Sequence, residues 1–124
     1  MNIKLMRYYI YAYVDLESPV NWEYDTSLGT IKFEHMPMYI GKGCGGRMEG
    51  HMEGSHNQRL GELIKRGNVE YFKINMLDNF TSYMAYRIES ELIYLIGRED
   101  LGTGPLFNES CGINLIEAKK HVEI

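Results

Sequence analysis

The stretch Tyr8-Tyr9-Ile10-Tyr11-Ala12-Tyr13-Val14-Asp15 constrains the fold most, because its two chemistries alternate residue by residue. A period of two places Tyr9, Tyr11 and Tyr13 on one face of a strand and Ile10, Ala12 and Val14 on the other. The aliphatic face belongs in a core, and the tyrosines read as a packed, half-exposed sheet face. A second short strand, Met38-Tyr39-Ile40-Gly41, repeats the pattern with Tyr39 and Ile40 opposed, and Pro37 suits a strand entrance. Val69 to Met76 alternates again, with Phe72, Ile74 and Met76 on one side, so three strands are available.

Helical spacing takes over elsewhere. Arg47 to Glu53 reads as a short helix, and Ser55-His56-Asn57-Gln58 as a capping box opening a helix with Leu60, Leu63 and Ile64 inward and Gly67 at its end. Thr81 to Gly97 carries Met84, Ala85, Ile88, Leu92, Leu95 and Ile96 at helical spacing, with Thr81 or Ser82 as cap, and should bury against the sheet. Between the first two strands Leu16 to Met36 holds Ser18-Pro19, Trp22 and a loop-like Asp25 to Gly29. Its length predicts a hairpin of its own, with Thr30 to Phe33 as one arm. Leu101 to Asn114 reads as a structured loop ahead of a last segment, Ile113 to Ile124. With 124 residues, 44% of them hydrophobic, the chain has room for one core. The expectation is a single α/β (α+β) domain over 1–124, a small three-stranded antiparallel sheet flanked by helices, with an insertion at about 16–36.

Composition narrows the function classes. The net charge of −4 repels a polyanion in bulk, yet residues 39–73 carry six cations against four glutamates, a net +2 that leaves −6 in the rest. No run approaches the roughly 20 apolar residues of a membrane helix, and Met1-Asn2-Ile3-Lys4-Leu5 lacks the apolar stretch of a secretion signal, so a cytoplasmic location without membrane contact is expected. Cys44 and Cys111 make no disulfide framework and no Cys-x-x-Cys zinc pair.

Glu89 is the most informative single residue. At ~100° per residue it falls near ~140° on a helical wheel whose apolar arc runs from Met84 at ~0° to Ile93 at ~180°. A carboxylate inside a buried arc needs a cation, either a basic side chain or a metal ion, because an unpaired buried charge costs several kcal/mol or more. Glu91, at the edge of the arc, needs none. A second cluster runs Tyr39-Ile40-Gly41-Lys42-Gly43-Cys44-Gly45-Gly46-Arg47, with His51 one helical turn beyond Arg47. Glycines leaving a strand allow a backbone close to phosphate, and an arginine at the following helix start can bind its oxygens bidentately. Gly41, Gly43 and Gly46 also spell Gly-x-Gly-x-x-Gly. A dinucleotide fold, however, needs more chain and apolar parallel strands, and Gly43 stands where a Walker loop requires Ser or Thr.

Taken together, Tyr9-Ile10-Tyr11 and Tyr39-Ile40-Gly41 resemble the two halves of the GIY-YIG nuclease signature. Arg47 and His51 resemble the arginine and histidine that follow its second half, Glu89 the metal-binding glutamate, and Leu106-Phe107-Asn108 the late asparagine motif, so the likeness spans roughly Tyr8 to Gly112. Two departures stand out: Tyr9 replaces the glycine of the first half, and the connector between the halves is long. The Gly-Lys-Gly after the second tyrosine is closest to the branch that includes LEM- and ankyrin-associated nucleases.

The resemblance implies metal-dependent endonuclease chemistry on DNA, RNA not excluded. Glu89 would hold one Mg²⁺ or Mn²⁺ per active site, and Arg47 would offset charge developing on the phosphate. Tyr11 would take a proton from the attacking water or orient it, although a phenol of ordinary pKa about 10 is a poor base at neutral pH. Lys42 and His51 are candidates to lower that pKa or to serve as the base. Tyr39 would support the phosphate, and Gly41, Gly43 and Asn108 would contact nucleic acid or serve structure. A catalytically inactive nucleic-acid-binding protein on the same fold is the alternative. Cutting both strands of a duplex would call for a homodimer or larger homo-oligomer. A phage or mobile element is the expected biological setting, with repair and restriction as the alternatives.

Overall fold

Alternation at Tyr9–Val14 builds the middle strand of the sheet. A computed structural model describes residues 7–74 and 77–109. It contains β1 (Tyr9–Thr26), β2 (Gly29–Gly43), α1 (Arg47–Glu53), α2 (Gln58–Arg66), β3 (Val69–Lys73), α3 (Ser82–Ile96) and a 3-10 turn, Glu99–Leu101. The sheet is antiparallel with order β2-β1-β3, an α+β arrangement. Ala12 pairs with Ile40 on one side and Phe72 on the other, and Tyr13 with Tyr39 and Tyr71, so the faces read from sequence are continuous across all three strands. The expected segment 113–124, Cys111 and Met76 lie outside the described residues.

The aliphatic face packs on α3. Ile10, Ala12, Val14, Ile40 and Ile74 form one core with Ala85, Ile88, Leu92, Ile93 and Ile96. Met84 and Leu95, expected in this arc, are 41% and 38% exposed. They fall at ~0° and ~20° on the wheel, so the buried arc starts ~40° later than the apolar residues do. That shift moves Glu89 deeper into the arc.

The tyrosine face departs from expectation. Instead of lying half-exposed, Tyr9, Tyr11 and Tyr13 are 4%, 1% and 0% exposed and pack with Met38, Met48, Leu60, Leu63 and Phe107. Burial is tolerated because each hydroxyl has a partner in or beside α1. Helix α2 is capped by Asn57, whose Oδ1 accepts from Leu60 N–H, rather than by a box at Ser55. Ser55 is committed elsewhere, since its Oγ meets both the Asn57 N–H and the His51 ring.

Residues 16–36 do not form a separate hairpin. β1 and β2 simply continue past Asp15 and Met38 to a tip at Ser27-Leu28, and Thr30–Phe33 is indeed one arm, paired with Trp22–Asp25. Register shifts at Tyr13/Val14, Asp15/Pro19 and Pro19/Trp22 mark bulges, which bend and twist a ribbon. The bend brings Ile31 and Phe33 into the α3 core, with Val20 and Tyr24 packed against it. Glu91, which needs no cation at the edge of the arc, fastens the tip: its carboxylate accepts from the Ser27 N–H at 2.6 Å and the Ser27 hydroxyl at 2.8 Å. Among the described residues no helix is long and apolar enough to cross a membrane.

β2 is an edge strand, and Leu106–Asn108 closes part of it. Phe107 N–H donates to the Met38 carbonyl at 2.7 Å, and the Asn108 amide both accepts from Ile40 N–H at 3.0 Å and donates to the Ile40 carbonyl at 2.7 Å. One side chain thus imitates a neighbouring strand. Asn57 Nδ2 donates to the Phe107 carbonyl at 2.8 Å and ties this segment to the start of α2. Truncating Asn108 to alanine leaves two buried backbone groups unpaired, which costs about 2–4 kcal/mol. Urea unfolding of Asn108→Ala should show that loss as a lower midpoint at unchanged slope; a wild-type midpoint would remove Asn108 from the framework.

Candidate active site

Helix α1 has seven residues, too few to hold itself together, and its N-cap Gly46 offers no side-chain cap. The strand beneath supplies what the helix lacks. Tyr9 Oη accepts from Met48 N–H at 3.1 Å and donates to the Gly45 carbonyl at 2.7 Å, while Tyr13 Oη donates to the Met48 carbonyl at 2.6 Å. Arg47 and His51, four residues apart, are thereby aimed from one helix face.

His51 is 5% exposed, with its Nε2 2.8 Å from Tyr11 Oη and its Nδ1 2.9 Å from Ser55 Oγ. Burial, then the charges of His56 and Arg47, hold its pKa below the usual value, so it is neutral at physiological pH. Tyr11 is pushed far up, first by burial and then by Tyr39, with Arg47 opposing, so its phenol stays protonated. These states assign the hydrogens: Tyr11 donates to Nε2, and Nδ1–H donates to Ser55 Oγ. The Tyr39 ring lies 5.0 Å from the His51 ring and 6.3 Å from the Tyr11 ring, and its phenol is likewise raised by burial and then by Glu89.

Glu89 reaches the same ground from α3. Burial raises its pKa, against the lowering effects of the Lys42 charge, the Lys42 backbone N–H and Arg47. The cation demanded by its helical position is therefore split between two side chains. Lys42 departs from its expected role: its ammonium is 3.1 Å from Ser82 Oγ and 5.1 Å from the Tyr8 ring centroid, aligned with α3 and Tyr8, and it is not among the charges acting on Tyr11. Gly41 and Gly43 make room for side chains. A Cβ at Gly41 would lie 2.1 Å from Tyr11 Cζ, and one at Gly43 would lie 3.1 Å from Arg47 Cβ and from the Tyr9 ring.

Tyr11, Tyr39, Arg47, His51 and Glu89 thus converge, while Asn108 stands behind β2 as a structural clamp. Sequence reasoning missed Ser55 as the orienter of His51, and it missed His56, whose ring centroid is 5.8 Å from that of His51. Both were absorbed by the capping-box reading. Among the described residues no group of three or more His, Cys, Asp or Glu is placed to ligate a metal. A hard divalent cation that keeps most of its water needs only one or two carboxylates, and the half-buried Glu89 meets that requirement. No protein-family model, curated protein or solved structure matches the chain.

The His51 shift has a measurable sign. Its folded-state pKa lies below the unfolded value of 6.5, so the unfolded chain binds more protons just under that pH. The stability from a buried neutral His51 is complete above pH 6.5 and declines as the pH falls below it. Urea midpoints measured from pH 7.5 down to pH 5 should fall less steeply in His51→Gln than in the wild type; identical slopes would show that His51 is not held neutral.

Proposed function

We propose that the chain is a metal-dependent endonuclease of the GIY-YIG type, hydrolysing phosphodiester bonds in DNA. The observation that carries the reading is the 2.8 Å contact between Tyr11 Oη and a neutral His51 Nε2. A proton acceptor, its donor, an arginine and a half-buried carboxylate come together from β1, α1 and α3.

On this reading a scissile phosphate lies against Arg47, Tyr39 and Glu89. Mg²⁺ or Mn²⁺ held by Glu89 would polarise that phosphate and stabilise the leaving 3′ oxygen. Tyr11 need never become a phenolate, which its burial forbids. Its oxygen takes a proton from the attacking water as its own proton passes to His51 Nε2, and His51 becomes the imidazolium, still anchored through Nδ1–H to Ser55. A base that is neutral at rest suits this transfer. Arg47, exposed and free to approach the substrate, offsets charge developing on the phosphate oxygens. Tyr39 supports the phosphate from β2.

Incubation with labelled duplex, single-stranded and branched DNA in Mg²⁺ or Mn²⁺ tests the reading. No cleavage of any of them, with binding retained, would replace it by the inactive binding protein. Glu89→Gln keeps the side-chain shape and removes the charge, so cleavage should fall at least about 10²-fold while the circular dichroism spectrum stays unchanged. Full Mg²⁺-dependent activity in that variant would end the metal assignment. Arg47→Ala should lose about 10²–10³-fold in kcat and much less in DNA affinity, because it acts on charge that appears only in the transition state. Equal losses in the two would make Arg47 a binding residue.

A further inference from the structure

His56 enters the chemistry above only through its charge on His51, beside which it stands. α1 ends at Glu53, and the chain turns through Gly54, Ser55 and His56 before α2 opens at Gln58. That turn walls a cleft of about 220 Å³ lined by Arg47, Gly50, His51, Gly54 and His56. A wider cleft of about 480 Å³ continues from His51 and His56 towards Gln58, Glu62 and Lys65. Gly50 and Gly54 line the inner cleft, and a Cβ at either would enter open space. Gly50 does so inside α1, where glycine costs about 0.5–1 kcal/mol relative to alanine.

The chemistry of the inner cleft is that of an anion site. Its polar lining is one guanidinium and two imidazoles, with no carboxylate. His51 has both ring nitrogens engaged, by Tyr11 and Ser55, which leaves Arg47 and His56 as the donors. Carboxylates enter only in the outer cleft, with Glu53 and Glu62, so an anion is favoured at the Arg47–His56 end. The inner volume suits a phosphate rather than a whole nucleotide. Arg47 also bears electrostatically on Tyr11, Tyr39 and Glu89, so it stands between this cleft and the reacting groups. Phosphates recur along one strand at a short, fixed spacing, and an arginine at such a boundary can serve two of them.

We infer that the cleft is a second phosphate subsite, in which Arg47 and His56 hold the phosphodiester next to the one cleaved, and that His56 is a substrate-binding residue. This rests on the nuclease reading for the identity of the strand, but the anion site itself is testable without it. Inorganic phosphate titrated into ¹⁵N-labelled protein, with ionic strength held constant by sodium chloride, should shift the Gly50 and Gly54 amides and the His56 ring in a saturable way. His56→Gln should weaken that binding about five-fold. It should raise KM for DNA by a similar factor and move kcat far less. Gly50→Leu, which fills the cleft from a position with free space, should abolish the phosphate shifts and raise KM in the same way. Absence of saturable shifts at Gly50 and Gly54, or an unaltered KM in both variants, overturns the subsite while normal wild-type cleavage leaves the nuclease reading intact. Phosphate binding that depends on His56 in a protein that cleaves no DNA overturns the nuclease reading and upholds the anion site.

Discussion

Three buried phenols hold α1 against the sheet, and the geometry of the site depends on them. A tyrosine hydroxyl removed from water without a partner costs about 1–3 kcal/mol, so a strand that buries Tyr9, Tyr11 and Tyr13 must find three partners on one face. It finds them in the Gly45 and Met48 backbone and in His51. The dependence is mutual. A seven-residue helix with a glycine cap and an internal glycine, Gly50, has little reason to form alone, and the phenols supply its missing cap. Because the tyrosines repeat every two residues along a rigid strand, they fix the helix at three points. Arg47 and His51 are carried on the helix so fixed, and Ser55 completes the orientation of the His51 ring.

The opposite face explains why a carboxylate can be brought to the same place. α3 packs along the aliphatic side of β1 and β2, and its buried arc ends beside the point where β2 leaves the sheet at Lys42. Glu89 therefore meets a strand-end N–H and two cations instead of apolar side chains. The bent β1–β2 ribbon contributes to this arrangement at a distance. By packing Ile31 and Phe33 with α3 and pinning its tip on Glu91, it helps fix α3 against the sheet. Residues 16–36 thus add Ile31 and Phe33 to the core.

Wherever one residue's own periodicity decided the outcome, the sequence was legible. Alternation located β1, and helical spacing located α3 and singled out Glu89. Where structure depended on a partner far along the chain, the pattern was silent. Nothing local marks the tyrosine face as buried, because its partners, backbone atoms of Gly45 and Met48 and the His51 ring, lie 35 to 40 residues away. Bulges interrupt alternation between Asp15 and Trp22, so the ribbon looked like a connector. Asn108 spans 68 residues to imitate a strand, a role with no sequence signature. Glu89, Arg47, His51, Tyr11 and Tyr39, which the structure brings together, are all legible in the sequence. His56 and Ser55 were hidden by a plausible cap that Asn57 in fact provides.

Burial sets a chemical choice at Tyr11 that the ordinary pKa of a phenol leaves open. Taking the ring out of water to anchor α1 forbids the phenolate, and the two like-natured neighbours, Tyr39 and Glu89, forbid it further. The same desolvation acts in the opposite sense on His51, because its charged form is the protonated one. One dielectric environment therefore keeps the phenol protonated and the imidazole empty, and the 2.8 Å contact between them points a proton donor at a vacant acceptor. Any reaction that delivers a proton to the Tyr11 oxygen can discharge it onto His51, provided that negative charge accumulates nearby to favour the imidazolium. A phosphate held by Arg47 would bring that charge. The packing that satisfies these buried polar groups thus also sets the direction in which the pair can pass a proton.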